Sequence, residues 1–187
     1  MKKVIGLSFV VVVLAMAFYG CKKENKVNNM PTVNVGNMEE AEGDSTVYGV
    51  CVDAASNSIQ LLTNNGDTVE YIFDNPNGEN VELGGKFPGD RMAVIGYEGK
   101  DENLAQKVIN ITSLQGRWTS LDKDFEILDG GVVESSVAAE SNPYTSWKIF
   151  NGKLILSKDT FDIAALGPDS LMLENANGIF AFKRKTN

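Results

Sequence analysis

The sequence predicts an all-β protein built as two small barrels in succession, and three observations carry that expectation. From Asp44 onward, short runs of β-branched and aromatic residues alternate with Gly, Pro, Asn and Asp turn signals. No window of this stretch repeats apolar residues at helical spacing. The turn signals divide the strands into a block of five before residue 114 and a block of eight after it.

Residues 1–20 precede both blocks. Lys2 and Lys3 supply a positive start, residues 4–18 form an apolar run, and Gly20-Cys21 closes it. The run is shorter than the ~20 apolar residues of a spanning helix, and Gly6 and Ser8 interrupt it. Gly20-Cys21 resembles the lipobox of bacterial lipoproteins, and Lys22-Lys23-Glu24 resembles the charged patch that follows it in lipoproteins of the Bacteroidetes outer membrane. That resemblance implies a removed signal peptide over 1–20, lipidation (palmitate) of Cys21, a membrane held through that lipid, and an outer-membrane address facing the periplasm or the cell surface.

Residues 21–43 are polar, rich in Asn and Glu, contain Pro31 and show neither period, which reads as a disordered tether. A flexible chain of this length spans roughly 25 Å.

The first folded block covers 44–113. Its expected strands are 47–53, 58–63, 68–73, 91–97 and 104–112, with Asn64-Asn65-Gly66-Asp67 turning the second into the third. Asn-Gly tolerates the positive φ of a tight hairpin turn. Five strands at these spacings resemble a small OB-like barrel. An oligonucleotide-binding role does not follow, because the block holds eleven acidic and four basic residues, and phosphate binding needs the reverse. Tyr71, Phe73 and Tyr97 are read as core.

The second block covers 114–187. Strands are expected at 117–121, 125–128, 132–137, 144–150, 153–158, 160–166, 170–174 and 179–184, joined by turns such as Asp129-Gly130-Gly131, Asn151-Gly152 and Asn177-Gly178. Eight short strands joined in this way suit an up-and-down barrel, which leaves no open sheet edge. Gly116-Arg117-Trp118 resembles the Gly-x-Trp opening of lipocalin-like barrels, and Arg184 on the last strand matches their basic residue. The resemblance implies that Arg184 lies across Trp118 and closes the barrel base, a structural pairing worth roughly 0.5 to 2 kcal/mol. With strict alternation, Trp147, Ile149, Leu154, Leu156, Phe161, Ile163, Leu171, Leu173, Phe180 and Phe182 share one face. Side chains of that bulk predict a mostly filled interior.

Composition narrows the chemistry. The chain has no histidine, and Cys51 is its one cysteine besides Cys21. Ser-His-Asp and Cys-His catalysis, His-ligated metals and an intrachain disulfide in the mature protein are therefore excluded. Cys51 lies in an apolar run and is read as a small hydrophobe. The net charge is −8 and falls to −10 once Lys2 and Lys3 leave with the leader, so no nucleic-acid partner is expected. The carboxylate pairs Glu39-Glu40, Asp101-Glu102 and Asp122/Asp124 are sequence neighbours on turns, not groups facing across a cleft, and no run reproduces a calcium loop. No cofactor, metal or catalytic residue is expected. Asp44-Ser45-Thr46 resembles the O-glycosylation sites of Bacteroidetes envelope proteins, which marks Ser45. The expected function is a non-catalytic, lipid-anchored binding or interaction module with a protein or glycan partner. The alternative is a lipocalin-like carrier or sensor of a small apolar ligand.

Overall fold

The computed structural model describes residues 43–136 and 142–186, which lie in the compact unit Val33–Asn187. The leader, Cys21, Glu39-Glu40 and most of the tether fall outside the described residues.

The first block forms β1 (Thr46–Ala55), β2 (Ser58–Thr63), β3 (Thr68–Phe73), β4 (Glu82–Leu83), β5 (Arg91–Glu98) and β6 (Asn103–Asn110). β1 pairs antiparallel with β2 and β5, β2 with β3, and β5 with β6. β3 then meets β6 in parallel at Tyr71–Asn103 to Phe73–Ala105, which closes a five-stranded barrel. This is the OB-like connectivity. The two-residue β4 was not expected from sequence and extends β6 at Val108 and Ile109. Cys51, Ile59, Leu61, Tyr71, Met92, Val94 and Val108 fill the interior. Burial, then Asp90 and Asp53, push the Cys51 thiol up, so it stays protonated and acts as packing.

The strand expected to reach residue 112 ends instead at Asn110. Its side-chain oxygen accepts the Ser113 N–H at 2.8 Å and caps a one-turn helix, α1 (Ile111–Leu114). An Asn side chain that bonds backbone two or three residues on competes directly with strand pairing.

The second block forms β7 (Gly116–Thr119), β8 (Asp124–Ile127), β9 (Val133–Ser135), β10 (Trp147–Phe150), β11 (Lys153–Leu156), β12 (Asp159–Leu166), β13 (Ser170–Asn175) and β14 (Gly178–Arg184). Neighbours are antiparallel in chain order and β14 returns to β7, in the order of an up-and-down meander. Between β9 and β10 the wall is held by one bridge, Val132 to Ser146, so the barrel is nearly closed. Asn151 and Gly152 take φ of 48° and 69° in the β10–β11 turn, the conformation that tight hairpins require.

The two ends of this barrel differ. The connections at its base, near Asp129, Asn151-Gly152, Gly167-Pro168-Asp169 and the end of β14, lie beside the first barrel. Arg91 donates to Asp129 at 2.6 Å, and the Gly84 N–H donates to the Leu166 carbonyl at 3.0 Å. The Tyr48 hydroxyl donates to the Ile149 carbonyl at 2.7 Å. Asp44 Oδ1 accepts the Asn151 N–H at 2.8 Å, and Asn151 Oδ1 accepts both the N–H and hydroxyl of Ser45 at 2.8 Å. Contact is close enough that a Cβ on Gly84 would stand 2.8 Å from Leu166 Cδ2. One buried cluster runs through the joint, from Tyr48, Leu83, Ala93 and Ile109 to Trp118, Ile149 and Leu166.

Ion pairs brace this arrangement and set its acid response. Hydrogen bonding to Arg117, reinforced by Lys185, holds Asp124 below its ordinary carboxylate range. Arg91 does the same for Asp129, and Lys153 followed by Lys107 for Asp162. A carboxylate depressed in the folded state stabilises fully above its unfolded pKa, about 4, and loses that contribution as pH falls through the folded value. The thermal midpoint is therefore expected to be flat near neutrality and to drop below about pH 4. Asp124→Asn should start lower at pH 7 and lose less on acidification, and a parallel acid limb would contradict the assignment.

Candidate functional site

Large side chains occupy the interior of the second barrel. Phe125 stands edge-on to Tyr144 and to Phe182, with centroids at 5.3 and 5.2 Å, and Phe161 continues the contacts to Tyr144 and Phe180. These aromatics plug the space a cup would enclose. Trp118, Trp147, Ile149, Leu154 and Leu173 fill it below. Of the face expected to point inward, only Phe180 keeps substantial exposure, because it lies at the mouth.

The base shows the pairing of Trp118 with Arg184. The guanidinium carbon lies 4.2 Å from the indole centroid, and the two residues face each other in the β14–β7 register. Trp118 Nε1 donates to the Leu114 carbonyl at 2.8 Å. Arg184 donates to the carbonyls of Gln115, Pro168 and Ser113, so it ties the last strand to the joint. Burial pulls its pKa below the ordinary value, but an arginine remains charged. This is a structural lock.

Open space occurs at the other end. β7 stops at Thr119 and pairs with β14 only through Lys183 and Arg184, so β14 runs on from Gly178 past the end of its neighbour. A cleft of about 730 Å³ lies between β14 and the turn at residues 119–123. Leu121, Met172, Ile179 and Phe180 line it and are all exposed large apolar residues. Such convergence on one patch is the informative kind of apolar exposure. Tyr144 and Phe182 form its inner wall. Lys123 Nζ lies 4.5 Å from the Tyr144 ring centroid and donates to the Asn142 carbonyl at 3.1 Å. Burial, then Asp159 and Asp122, raise the Tyr144 pKa, so its hydroxyl stays protonated.

The other residues considered from sequence stand apart. Ser45 is exposed, with its hydroxyl donated to Asn151. Asp122 accepts from Ser120, and Asp124 binds Arg117 and Lys185, so this pair does not face a shared space. Among the described residues no cluster of His, Cys, Asp and Glu could hold a metal ion, and no helix is long and apolar enough to cross a membrane. Alternation had pointed inward, whereas the cleft arises from unequal strand lengths. The one sequence signal for it was Leu121, an apolar residue inside a polar turn.

A filled antiparallel barrel with an apolar cleft at its mouth has the form of a binding module. Residues 110–185 match the family model described as lipocalin-like, which supports a lipocalin-like domain over that stretch. No curated protein matches the chain. No solved structure matches it either.

Proposed function

We propose that this chain is a non-catalytic, lipid-anchored envelope protein whose lipocalin-like barrel binds a small apolar ligand in the cleft beside β14. The cleft's four exposed apolar residues carry this reading, together with the lipocalin-like match of the barrel that bears them. The aromatic plug turns the reading away from cargo carried deep inside the barrel and toward a ligand held at the rim. The basic and apolar leader closed by Gly20-Cys21 supports anchoring.

Both parts are testable. The neutral fluorophore N-phenyl-1-naphthylamine should brighten on binding to the chain from Lys22 on, which retains the whole compact unit. Leu121→Asp with Ile179→Asp changes two exposed side chains and should weaken binding at least tenfold, since about 1.4 kcal/mol is tenfold and each lost apolar contact approaches that size. Equal binding by both proteins would place the ligand elsewhere. For the anchor, Cys21→Ser in the full chain should move the protein from the membrane fraction to the soluble one, and an unchanged fraction would reject lipidation.

A further inference from the structure

The outer face of β13 and β14 is banded across the strands. Ser170 on β13 pairs with Lys183 on β14, which pairs with Thr119 on β7, so these three residues form one row on the outward face. The next outward row along β14 holds Met172 opposite Ala181, and Ile179 follows opposite Glu174, which stands outside the cleft. Ser170, Lys183, Thr119, Met172, Ala181 and Ile179 all line the cleft, together with Leu121 of the facing turn. The groove therefore has an end that carries Lys183 and two hydroxyls and an end dominated by apolar side chains, and its one lining carboxylate, Asp122 on the facing turn, accepts from Ser120. Neighbours in such a row stand about 4.5–5.5 Å apart at Cβ, close enough for the ammonium and two hydroxyls to reach one anionic group together.

The charge at that end is available. The Lys183 side chain makes no hydrogen bond, ion pair or ring contact among the described residues, whereas that of Lys185 is engaged with Asp124 and that of Lys123 with Asn142 and Tyr144. Lys183 is also exposed and lies on the outer face, where the fold makes no use of its charge. In a chain with net charge −8, an unpaired lysine at one end of an apolar groove favours an anion there over a neutral group.

We propose that the ligand of this cleft is an anionic amphiphile, with its carboxylate or phosphate head on Lys183, Ser170 and Thr119 and its chain along Met172, Ile179, Leu121 and Phe180. The head lies outside the barrel and the tail runs to the rim. This rests on the reading of the cleft as the binding site, and the experiment separates the two.

Dodecanoate, dodecyl phosphate, dodecanol and dodecyltrimethylammonium, each below its critical micelle concentration, are titrated calorimetrically into the chain from Lys22 on. At least one of the two anions should bind about tenfold more tightly than dodecanol, as expected for one charge-assisted contact at a partly exposed site, and the cation should bind most weakly. Lys183→Gln should bring anion affinity down to that of dodecanol and leave dodecanol affinity unchanged, a pattern that general unfolding would not produce. A preference for dodecyl phosphate or for dodecanoate names the head group, and either supports the proposal. Equal affinity for dodecanol and both anions, or anion binding unchanged in Lys183→Gln, overturns the proposal while leaving the apolar site standing. Failure of all four to bind overturns both.

Discussion

Trp118→Ala is expected to destabilise the protein by about 4 kcal/mol, within the range for deleting a fully buried aromatic side chain. Trp118 has no exposed surface and is the largest of the fully buried side chains among the described residues. Its removal leaves a cavity at the base, withdraws the Nε1 donor from the Leu114 carbonyl, and strips the indole from beneath the Arg184 guanidinium. Arg184 would keep its three carbonyl partners, which limits the loss. Trp118→Phe should cost less, about 2 kcal/mol, since most of the ring volume remains and one hydrogen bond is lost. Chemical denaturation followed by circular dichroism would measure both. Because Leu114, Ser113 and Gln115 belong to the joint, the loss should appear in one cooperative transition. A change below 1 kcal/mol would remove Trp118 from the closure of the base.

Asn110→Leu should cost nearly as much for a different reason. Asn110 is a fully buried polar residue at the end of β6. Its Nδ2 donates to the Gly85 carbonyl at 3.1 Å and to Asp90 Oδ2 at 2.6 Å, while its Oδ1 accepts from Ser113. Leucine matches the volume and abandons all three partners, one of them a carboxylate. Unmaking buried polar contacts costs about 1–3 kcal/mol each where water cannot replace them, which points to a total of about 3–4 kcal/mol. Asn110→Ala opens room for water and should be the milder change despite the larger loss of volume. The reverse ranking, read from the same denaturation experiment, would show that packing rather than hydrogen bonding governs this position. The same contacts explain why Asn110-Ile111-Thr112, which matches an N-linked sequon, presents no accessible amide.

The fold was legible in the sequence to an unusual depth because strand and turn signals agree. Ser58–Thr63 and Thr68–Phe73 have the bounds expected of them, since Asn-Gly at the turn pins the register from one end and buried alternation from the other. The ordering of the second barrel followed from its tight turns, each of which permits only an antiparallel neighbour. What escaped prediction depends on tertiary contact. β4 is two residues long and exists because β6 offers it an edge, and α1 exists because Asn110 caps it where strand propensity alone would continue. The cleft was hidden for a related reason. Alternation tells which residues face inward, but a gap in the wall depends on where β7 ends relative to β14, and that is decided by the turn at Ser120, whose N–H donates to the Lys123 carbonyl at 2.8 Å.

The bonds between Gly43–Thr46 and the β10–β11 turn carry a mechanical consequence. Asn151 Nδ2 donates to the Gly43 carbonyl, Asp44 accepts from Asn151, and Thr46 begins the first strand directly beyond. Tension arriving along the chain toward Gly43 is thus shared between the hairpin of one barrel and the first strand of the other before either can peel away. The groove on β14 opens at the opposite end of its barrel from that load point.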